Sequence, residues 1–261
     1  MHDRSPPYRD PSPWRGRTAL VVGASRGIGA ETARAFAREG ARVVLASRDT
    51  AALEKVAEEI GSEGGSATVQ PLDLADASSV KDLGERLDRE GGRLDFAFNN
   101  AGEGSLPTPL AEIPPDAFDR VQRVTVLGTF LALQQEIPRM LHGGGGSIVN
   151  MSSTAGVQGF LGGGAYVAAK HAILGLTKSA ALDYAERGIR VNAVAPGPID
   201  THRLKAAPET YREQTRRAVA MRRIGRPEEV AEVVLWLCSD RSQFVTGTTV
   251  FVDGGRMAGF A

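Results

Sequence analysis

Short runs of β-branched and aliphatic residues alternate along this chain with longer segments of helical periodicity. Thr18–Val22 precedes a helical segment at 27–39, and a second apolar run at 42–46 precedes a helical segment at 50–60. Such alternation is typical of βαβ units, in which helices connect parallel strands and cover the sheet. We therefore predict a doubly wound α/β fold with a seven-stranded parallel sheet and helices on both faces.

The alternation continues to residue 252 without a linker-like stretch, so we predict a single domain over residues 16–261. Residues 115–141 have the pattern of one long helix, whereas the Arg-rich stretch 196–226 has no clear period. Residues 1–15 contain four prolines and lack the apolar segment of a secretory signal, so we predict a disordered lead-in. The further predicted strands are 67–72, 94–99, 147–152, 190–195 and 248–252, and the further predicted helices are 78–89, 164–187 and 227–238.

The composition argues against several functional classes. Thirty-one Lys and Arg residues balance thirty-one Asp and Glu residues, so the chain lacks the positive excess of a dedicated nucleic-acid binder. Glutamates are interspersed with the arginines between 212 and 226, as is typical of a solvated helix face. No apolar run approaches the ~20 residues that span a membrane. Cys238 is the single cysteine and no Cys/His spacing predicts a metal site, so we expect a cytoplasmic protein without a metal.

The loop after the first strand is rich in glycine, with the spacing G-x-x-x-G-x-G. Glycines permit a tight turn and a close approach of the backbone to a ligand, and the N–H groups of the following helix face a phosphate. An ordinary strand-to-helix turn is the alternative, but the position after the first strand of a βαβ series favours dinucleotide binding. The residues that we assign to cofactor binding here are Gly23, Ser25, Arg26, Gly27, Ile28 and Gly29.

This loop resembles the cofactor loop of the short-chain dehydrogenase/reductase family, whose members are single-domain proteins of the Rossmann type with a Ser-Tyr-Lys active site. Val22 stands where that motif usually begins with Thr. A second match is Asn99-Asn100-Ala101-Gly102 at the end of the fourth predicted strand, which is the family's N-N-A-G motif in full. The resemblance implies that Asn100, Ala101 and Gly102 contact the cofactor.

The loop after the second strand predicts which dinucleotide binds. A carboxylate there would hydrogen-bond the adenosine ribose of NAD, whereas a basic residue accommodates the 2′-phosphate of NADP. The resemblance places the NAD-selecting acid at Ser47, and it places Arg48 and Arg26 where the 2′-phosphate is recognised. Asp49 has the general spacing of a ribose-binding acid, but we interpret it as the N-cap of the following helix. We therefore predict a preference for NADP(H), with NAD(H) as the alternative.

Two further segments match the family pattern, so that the resemblance runs from about Arg17 to Gly255. Asp73 and Leu74 resemble the pair that contacts adenine, although Asp73 is also interpretable as a helix cap. The segment after the sixth strand resembles P-G-x-I-x-T, whose residues contact the nicotinamide end of the cofactor. The matching residues are Pro196, Gly197, Ile199 and Thr201.

Ser153, Tyr166 and Lys170 form the predicted catalytic group. Tyr166 follows Ser153 by thirteen residues, and Lys170 lies one helical turn beyond Tyr166 on the same face. Carbonyl reduction by hydride needs a proton donor for the developing alkoxide, and a nearby ammonium lowers the pKa of a phenol. We predict that Tyr166 is the general acid, that Lys170 lowers its pKa and holds the cofactor ribose, and that Ser153 donates to the substrate oxygen. Taken singly, each residue is also typical of a structural role, but the combination downstream of both cofactor motifs favours catalysis.

Thr125 departs from the family pattern. The family has an Asn three residues before the glycine that corresponds to Gly128, and the resemblance implies that this Asn binds a backbone carbonyl and a water linked to the catalytic Lys. A threonine hydroxyl has one donor where the amide has two. We expect the proton relay to be rerouted or slower.

These motifs predict an oxidoreductase that transfers a hydride between NADP(H) and a carbonyl or secondary alcohol, either a hydrophobic ketone or a 3-oxoacyl thioester. A cofactor-binding regulatory protein with little turnover is the alternative, and Thr125 is its only support. Residues 103–106, 154–161 and 204–221 should line the substrate pocket. The resemblance implies a homotetramer or dimer formed through two long helices, whose apolar residues are Phe130, Leu131, Leu133, Ile137, Ile173, Leu176, Ala180 and Leu182.

Overall fold

The computed structural model describes residues 14–259. Within this range seven strands form one parallel sheet in the order β3-β2-β1-β4-β5-β6-β7. This arrangement confirms the predicted doubly wound Rossmann fold. The strands are β1 (Thr18–Val22), β2 (Arg42–Ser47), β3 (Ser66–Pro71), β4 (Phe96–Asn99), β5 (Gly146–Met151), β6 (Ile189–Pro196) and β7 (Thr249–Val252).

Helices cover both faces of the sheet. Val43 and Leu45 point to the face covered by α1, α2 and α9, whereas Val44 and Ala46 point to the face covered by α3, α5 and α6. None of the helices within residues 14–259 is both long and apolar enough to span a membrane. The helices are α1 (Gly27–Arg38), α2 (Thr50–Ser62), α3 (Ala77–Arg89), α4 (Pro115–Gln122), α5 (Gly128–His142), α6 (Gly164–Tyr184), α7 (His202–Lys205), α8 (Glu209–Arg217) and α9 (Pro227–Cys238).

Trp14 is the first residue that the structure describes, and it is buried. Its ring centroid lies 4.7 Å from that of Phe96 and 5.3 Å from that of Phe36. Aromatic pairs of this kind contribute about 1 kcal/mol beyond their buried area. Trp14 therefore belongs to the folded core, although the sequence analysis assigned it to the lead-in. Residues 1–13 of that predicted lead-in lie outside the described residues.

The predicted long helix at 115–141 is continuous but not uniformly α-helical. A π-helical segment, Arg123–Leu127, separates α4 from α5. Such segments widen one turn and are frequent at functional sites. The stretch 196–226, which has no clear period in the sequence, contains the short helices α7 and α8.

The carboxyl ends of the parallel strands meet at one edge of the sheet. The chain leaves β1 and β4, the two central strands, in opposite lateral directions, which opens a crevice between their connections. The residues that follow these ends are Gly23 after β1, Arg48 after β2, Leu72 after β3, Asn100 after β4, Ser152 after β5 and Gly197 after β6.

Candidate active site

The glycine loop after β1 packs against the end of β4. Gly23 has φ +84, and a Cβ at this position would lie 2.8 Å from the Ala101 nitrogen. A Cβ on Gly29 would overlap the Gly23 carbonyl oxygen, which accepts a hydrogen bond of 2.9 Å from Asn100 Nδ2. The close approach of these segments explains why side chains are absent from Gly23 and Gly29. It also explains how the motifs after β1 and β4 form one surface.

The N-terminus of α1 fits a phosphate group. Arg26 is the N-cap residue, and its side chain makes no capping hydrogen bond to the N–H groups of the first turn. Uncapped N–H groups at a helix N-terminus bind anions through hydrogen bonds and the helix dipole. The first helical residue, Gly27, has φ +58, a conformation that favours glycine. This donor set and the absence of side chains at Gly23 and Gly29 fit the dinucleotide that the sequence predicts.

A cavity of about 620 Å³ extends from this loop across the ends of β2 and β3. Arg48 is exposed at its edge, and its guanidinium has no hydrogen-bond or ion-pair partner among residues 14–259. Arg26 instead pairs with Asp49 at 3.3 Å. The predicted cofactor residues that line this cavity are Gly23, Ser25, Arg26, Ser47, Arg48, Asp73, Leu74, Asn100, Ala101 and Gly102.

Two acidic residues at this cavity, Asp49 and Asp73, were both interpretable from the sequence as helix caps. Asp49 is the N-cap of α2, as predicted, and accepts a hydrogen bond of 3.1 Å from the Ala52 N–H. The α3 helix is capped by Asp76, so the helix-cap interpretation of Asp73 is wrong. Asp73 Oδ1 instead accepts from the Ala75 N–H at 2.9 Å and fixes the turn that borders the cavity.

A second cavity of about 240 Å³ lies beyond β5 and β6. It shares Asn100, Gly102 and Gly104 with the first cavity, so that the two form one continuous cleft. The structure therefore brings together the predicted catalytic and nicotinamide-contacting residues. Those that line the second cavity are Ile28, Ser153, Tyr166, Lys170, Pro196, Gly197, Ile199 and Thr201.

Lys170 is almost completely buried at the wall of this cleft, with 3% of its surface exposed. Its Nζ donates a hydrogen bond of 2.8 Å to the Met151 carbonyl oxygen and lies 5.7 Å from the centroid of the Tyr166 ring. Burial lowers the pKa of Lys170 from 10.5 to about 8. The ammonium is therefore mostly retained at neutral pH, beside the phenol.

The loop after β5 is held by one hydrogen bond to α6 and by one within the loop itself. Ser152 Oγ donates to the Lys170 carbonyl oxygen at 3.0 Å, and Ser153 Oγ accepts from the Ala155 N–H at 3.1 Å. Because the Ser153 hydroxyl accepts this bond, its proton remains available to donate to another group. The loop thus holds Ser153 at the same cavity as Tyr166 and Lys170.

Thr125 lies in the π-helical segment and contacts the end of the N-N-A-G motif. Its Oγ1 accepts a hydrogen bond of 3.0 Å from the Glu103 N–H. A Cβ on Gly102 would lie 3.5 Å from this hydroxyl and 3.3 Å from Lys170 Nζ, so both groups border the same glycine. Thr125 therefore anchors the segment that follows Gly102, a role that the sequence analysis did not assign to its hydroxyl.

The aromatic ring of Phe160 lies near Tyr166 at the mouth of the cleft. The Phe160 ring centroid lies 6.3 Å from that of Tyr166, and the loops on either side of the mouth are joined by a 3.0 Å hydrogen bond from Thr108 N–H to the Gly162 carbonyl oxygen. Exposed apolar side chains occur in all three predicted pocket segments, 103–106, 154–161 and 204–221. They are Leu106, Val157, Phe160, Leu161, Tyr211 and Met221.

The arginine cluster of 212–226 is largely neutralised within the protein. Glutamates on α8 and α9 pair with it, as expected for a solvated helical surface rather than a nucleic-acid site. The pairs are Arg212 and Arg216 with Glu209, Arg216 and Arg217 with Glu213, and Arg223 with Glu229.

A buried polar cluster that was not predicted from the sequence lies beneath the cleft. Glu136 on α5 is completely buried and accepts a hydrogen bond of 3.0 Å from Asn99 Nδ2. Its signal in the sequence is a glutamate within the apolar stripe formed by Leu133, Ile137 and Met140. A charged residue type at a core position of an amphipathic helix indicates a buried partner.

Comparisons with known proteins agree with this geometry. A family model described as enoyl-(acyl carrier protein) reductase matches residues 23–256. The chain is 41% identical to the A-factor type gamma-butyrolactone 1'-reductase of Streptomyces virginiae, with 92% of this chain and 95% of that protein covered. It is 39% identical to the cyclohexanol dehydrogenase of an Acinetobacter species, with 92% and 95% covered.

A solved structure extends the comparison to three dimensions. The 3-oxoacyl (acyl-carrier-protein) reductase of Agrobacterium tumefaciens, determined with NADP bound, superposes with a TM-score of 0.87 at 34% identity. The match covers 92% of this chain and 94% of that one. With the motifs gathered at one cleft and relatives of this similarity over nearly the whole length, the chain belongs to the short-chain dehydrogenase/reductase family of oxidoreductases.

Proposed function

We propose that this protein is an NADP(H)-dependent carbonyl reductase or secondary-alcohol dehydrogenase in which Tyr166 exchanges the proton. The observation that carries the proposal is the buried Lys170 ammonium beside the Tyr166 ring, at a cavity continuous with the glycine loop. The bound cofactor supplies a hydride in reduction and accepts one in oxidation.

The residues of the cleft divide the remaining work. Tyr166 donates its proton to the substrate oxygen in reduction and accepts it in oxidation. Lys170 favours the phenolate form of Tyr166 by its charge. Ser153 donates a hydrogen bond to the oxygen on which negative charge develops. Residues at 196–201, among them Thr201, hold the nicotinamide end of the cofactor.

Arg48 supports selection of NADP(H) over NAD(H). Its guanidinium is exposed at the cavity, and a planar guanidinium recognises phosphate by two parallel hydrogen bonds. Arg26 provides a second cation, which must share its charge with Asp49. Ser47 provides no carboxylate for the ribose of NAD. The related reductase with bound NADP adds support for this choice.

The mouth of the cleft favours an apolar substrate. Exposed Phe160 presents hydrophobic surface next to Tyr166, and Leu161 and Leu106 are exposed in the predicted pocket segments. Burial of such surface by a ligand is favourable. By their names, the relatives reported above act on an A-factor type gamma-butyrolactone, on cyclohexanol and on a 3-oxoacyl (acyl-carrier-protein). We infer that a hydrophobic ketone is the substrate, with a 3-oxoacyl thioester as the second candidate.

A panel of carbonyl compounds with NADPH and NADH tests the proposal. Cyclic ketones, acyl butyrolactones and 3-oxoacyl thioesters should be compared by the loss of reduced-nicotinamide absorbance. We expect turnover with NADPH on at least one class, and a smaller kcat/KM with NADH. Tight NADPH binding without turnover on any compound would favour the regulatory alternative.

Association of subunits is part of the proposal. Leu133, Ile137 and Ala180 of the expected interface are buried within one chain, because they pack in the core on the sheet, and Ile173 is also buried. Phe130 of α5 and Leu182 of α6 are exposed, and so is Leu127, which lies directly before α5. We propose a tetramer or dimer through this smaller surface, and light scattering at micromolar concentration measures it directly.

A further inference from the structure

A layer of four polar side chains lies beneath the cleft, on the face of the sheet covered by α5 and α6. Asn99 on β4 and Asn150 on β5 are directly paired in register, and their side chains form a 3.0 Å hydrogen bond. Glu136 on α5 and Thr177 on α6 extend this chain of hydrogen bonds at either end, each at 3.0 Å. All four residues are at most 3% exposed. We call Glu136, Asn99, Asn150 and Thr177 the polar layer.

The direction of every hydrogen bond in the polar layer follows from Thr177. Its hydroxyl lies 2.8 Å from the Ile173 carbonyl oxygen, which can only accept, so the hydroxyl proton is used there. Thr177 Oγ1 must then accept from Asn150 Nδ2, which turns Asn150 Oδ1 toward Asn99. Asn99 must therefore present Nδ2, and the two protons of Nδ2 go to Asn150 Oδ1 and Glu136 Oε2.

This arrangement leaves two oxygen atoms without a donor. Asn99 Oδ1 and Glu136 Oε1 are both buried and have no hydrogen-bond partner among the described residues. They belong to the amide and the carboxyl group that already share one hydrogen bond. A carboxylic acid and a primary amide can form a reciprocal pair, in which the amide N–H donates to one carboxyl oxygen and the carboxyl O–H donates to the amide oxygen. One proton on Glu136 Oε1 would therefore satisfy both atoms.

We propose that Glu136 is a neutral carboxylic acid whose proton is donated to Asn99 Oδ1, and that this acid–amide pair is a positioning element for the ends of β4 and β5. Asn99 immediately precedes Asn100, which holds the Gly23 carbonyl of the glycine loop. Asn150 immediately precedes Met151, whose carbonyl oxygen accepts the hydrogen bond from Lys170 Nζ. The acid–amide pair therefore supports the residues next to the glycine loop at one end of the cleft and those next to Lys170 at the other.

The electrostatics of the site agree with a neutral acid. Burial raises the pKa of Glu136 from 4.5 to about 7, and the hydrogen bond from Asn99 offsets part of this effect. Among the described residues, no charged group contributes to this shift. Near α5, Asp88 of α3 pairs with Arg139, Lys81 of α3 pairs with Glu85, Asp95 directly before β4 pairs with Arg93, and Arg190 of β6 lies near Asp240.

Ionisation of Glu136 would break the acid–amide pair. The carboxylate has no proton to donate, so Asn99 Oδ1 loses its partner and lies beside a negative charge. We expect the ends of β4 and β5 to be held less firmly above about pH 7, and NADPH to bind less tightly there. This consequence rests on the proposed function, whereas the acid–amide pair itself does not.

Infrared difference spectroscopy tests the protonation state without any ligand. The spectrum of the wild type minus that of Glu136→Gln should contain the C=O stretch of a carboxylic acid at about pH 6, and this band should be replaced by carboxylate bands at about pH 9. Glu58→Gln removes an exposed carboxyl as the matched control and should lack the acid band. A carboxylate-only difference spectrum at pH 6 for Glu136→Gln would overturn the proposal.

Cofactor binding across the same pH range tests the positioning role. Glutamine can reproduce the reciprocal pair with an amide N–H, so Glu136→Gln should remove the alkaline change. Relative to this variant, the NADPH dissociation constant of the wild type should rise about threefold to tenfold between pH 6 and pH 9, as for the loss of one hydrogen bond. Glu136→Ala leaves Asn99 unpaired and should bind NADPH more weakly at both pH values. Parallel pH profiles for the wild type and Glu136→Gln would refute the positioning role, and failure of NADPH to bind at all would refute the proposed function while the infrared result stands.

Discussion

Two buried ionisable side chains cover the same face of the sheet in this protein, yet their surroundings differ. Lys170 on α6 borders the cleft, whereas Glu136 on α5 faces only the closed polar layer. Burial shifts both toward neutrality, since it lowers the pKa of Lys170 to about 8 and raises that of Glu136 to about 7. The difference teaches that burial and a shifted pKa do not by themselves identify a catalytic group. What distinguishes Lys170 is that it lines a cavity and that Tyr166, the proposed proton donor, lies beside it at the same cavity.

The substitution with the largest expected effect tests whether the reaction takes place in the cleft. Tyr166→Phe keeps the ring and deletes the proton, so kcat should fall about 10²-fold to 10⁴-fold while the NADPH dissociation constant changes little. Steady-state kinetics and fluorescence titration measure the two quantities. Tyr184→Phe, at the other end of the same helix, is the matched control. Near-normal turnover in Tyr166→Phe, on a substrate whose chemical step limits, would remove Tyr166 from the mechanism.

A substitution with a smaller expected effect tests whether the adenosine end of the cofactor binds beside Arg48. Arg48→Ala removes a guanidinium with no partner among the described residues, so NADPH should bind about tenfold to a hundredfold more weakly, or about 1.5–3 kcal/mol. NADH lacks the 2′-phosphate, and its affinity should stay level. Arg89→Ala, an exposed arginine at the end of α3, controls for net charge. A wild type that prefers NADH contradicts the assignment.

The smallest expected effect concerns Thr125, which contacts the segment that follows Gly102. Thr125→Val removes the acceptor of the Glu103 N–H, so kcat/KM should fall about threefold to tenfold. Thr125→Ser keeps the hydroxyl and should restore most of it. Thr125→Asn offers an amide oxygen at the position where the family has Asn, and should stay within about tenfold of the wild type. If valine has no effect, the anchor to Glu103 does not matter for catalysis.

The cleft was predictable from the sequence because its residues follow strand ends at fixed spacings. Ser153, Tyr166 and Lys170 need only one strand end and one helix to meet, and Gly23 and Gly29 need only a tight turn. The polar layer was not predictable in the same way. Asn99, Asn150 and Glu136 are distant in sequence, and only the sheet register and the packing of α5 bring them together. A glutamate in an apolar stripe indicates that a partner exists but not which residue it is.

Two other features depended on packing that no local pattern encodes. The π-helical segment Arg123–Leu127 interrupts a sequence with unbroken helical periodicity. Trp14 lies in a stretch of prolines and charges, and its burial depends on the space between Phe36 and Phe96. In both cases tertiary contacts decided what composition and periodicity left open.

The unfolding free energy across the pH range tests the contrast between the two buried groups most directly. The native pKa of Glu136 is raised, from 4.5 to about 7, so the native state holds its proton while the unfolded state has lost it. The wild type should therefore lose about 3 kcal/mol relative to Glu136→Gln as pH rises through this window. The native pKa of Lys170 is lowered, from 10.5 to about 8, so the sign is opposite. The wild type should gain about 3 kcal/mol relative to Lys170→Met between these two values.

Urea denaturation of the wild type and the two variants, at intervals from about pH 4 to pH 11, measures both windows in one series. We expect a falling difference in the acidic window for Glu136→Gln and a rising difference in the alkaline window for Lys170→Met. A flat difference in the acidic window, or one that rises with pH there, would show that native Glu136 is ionised and would contradict the account of the polar layer. A flat alkaline window would contradict the account of Lys170.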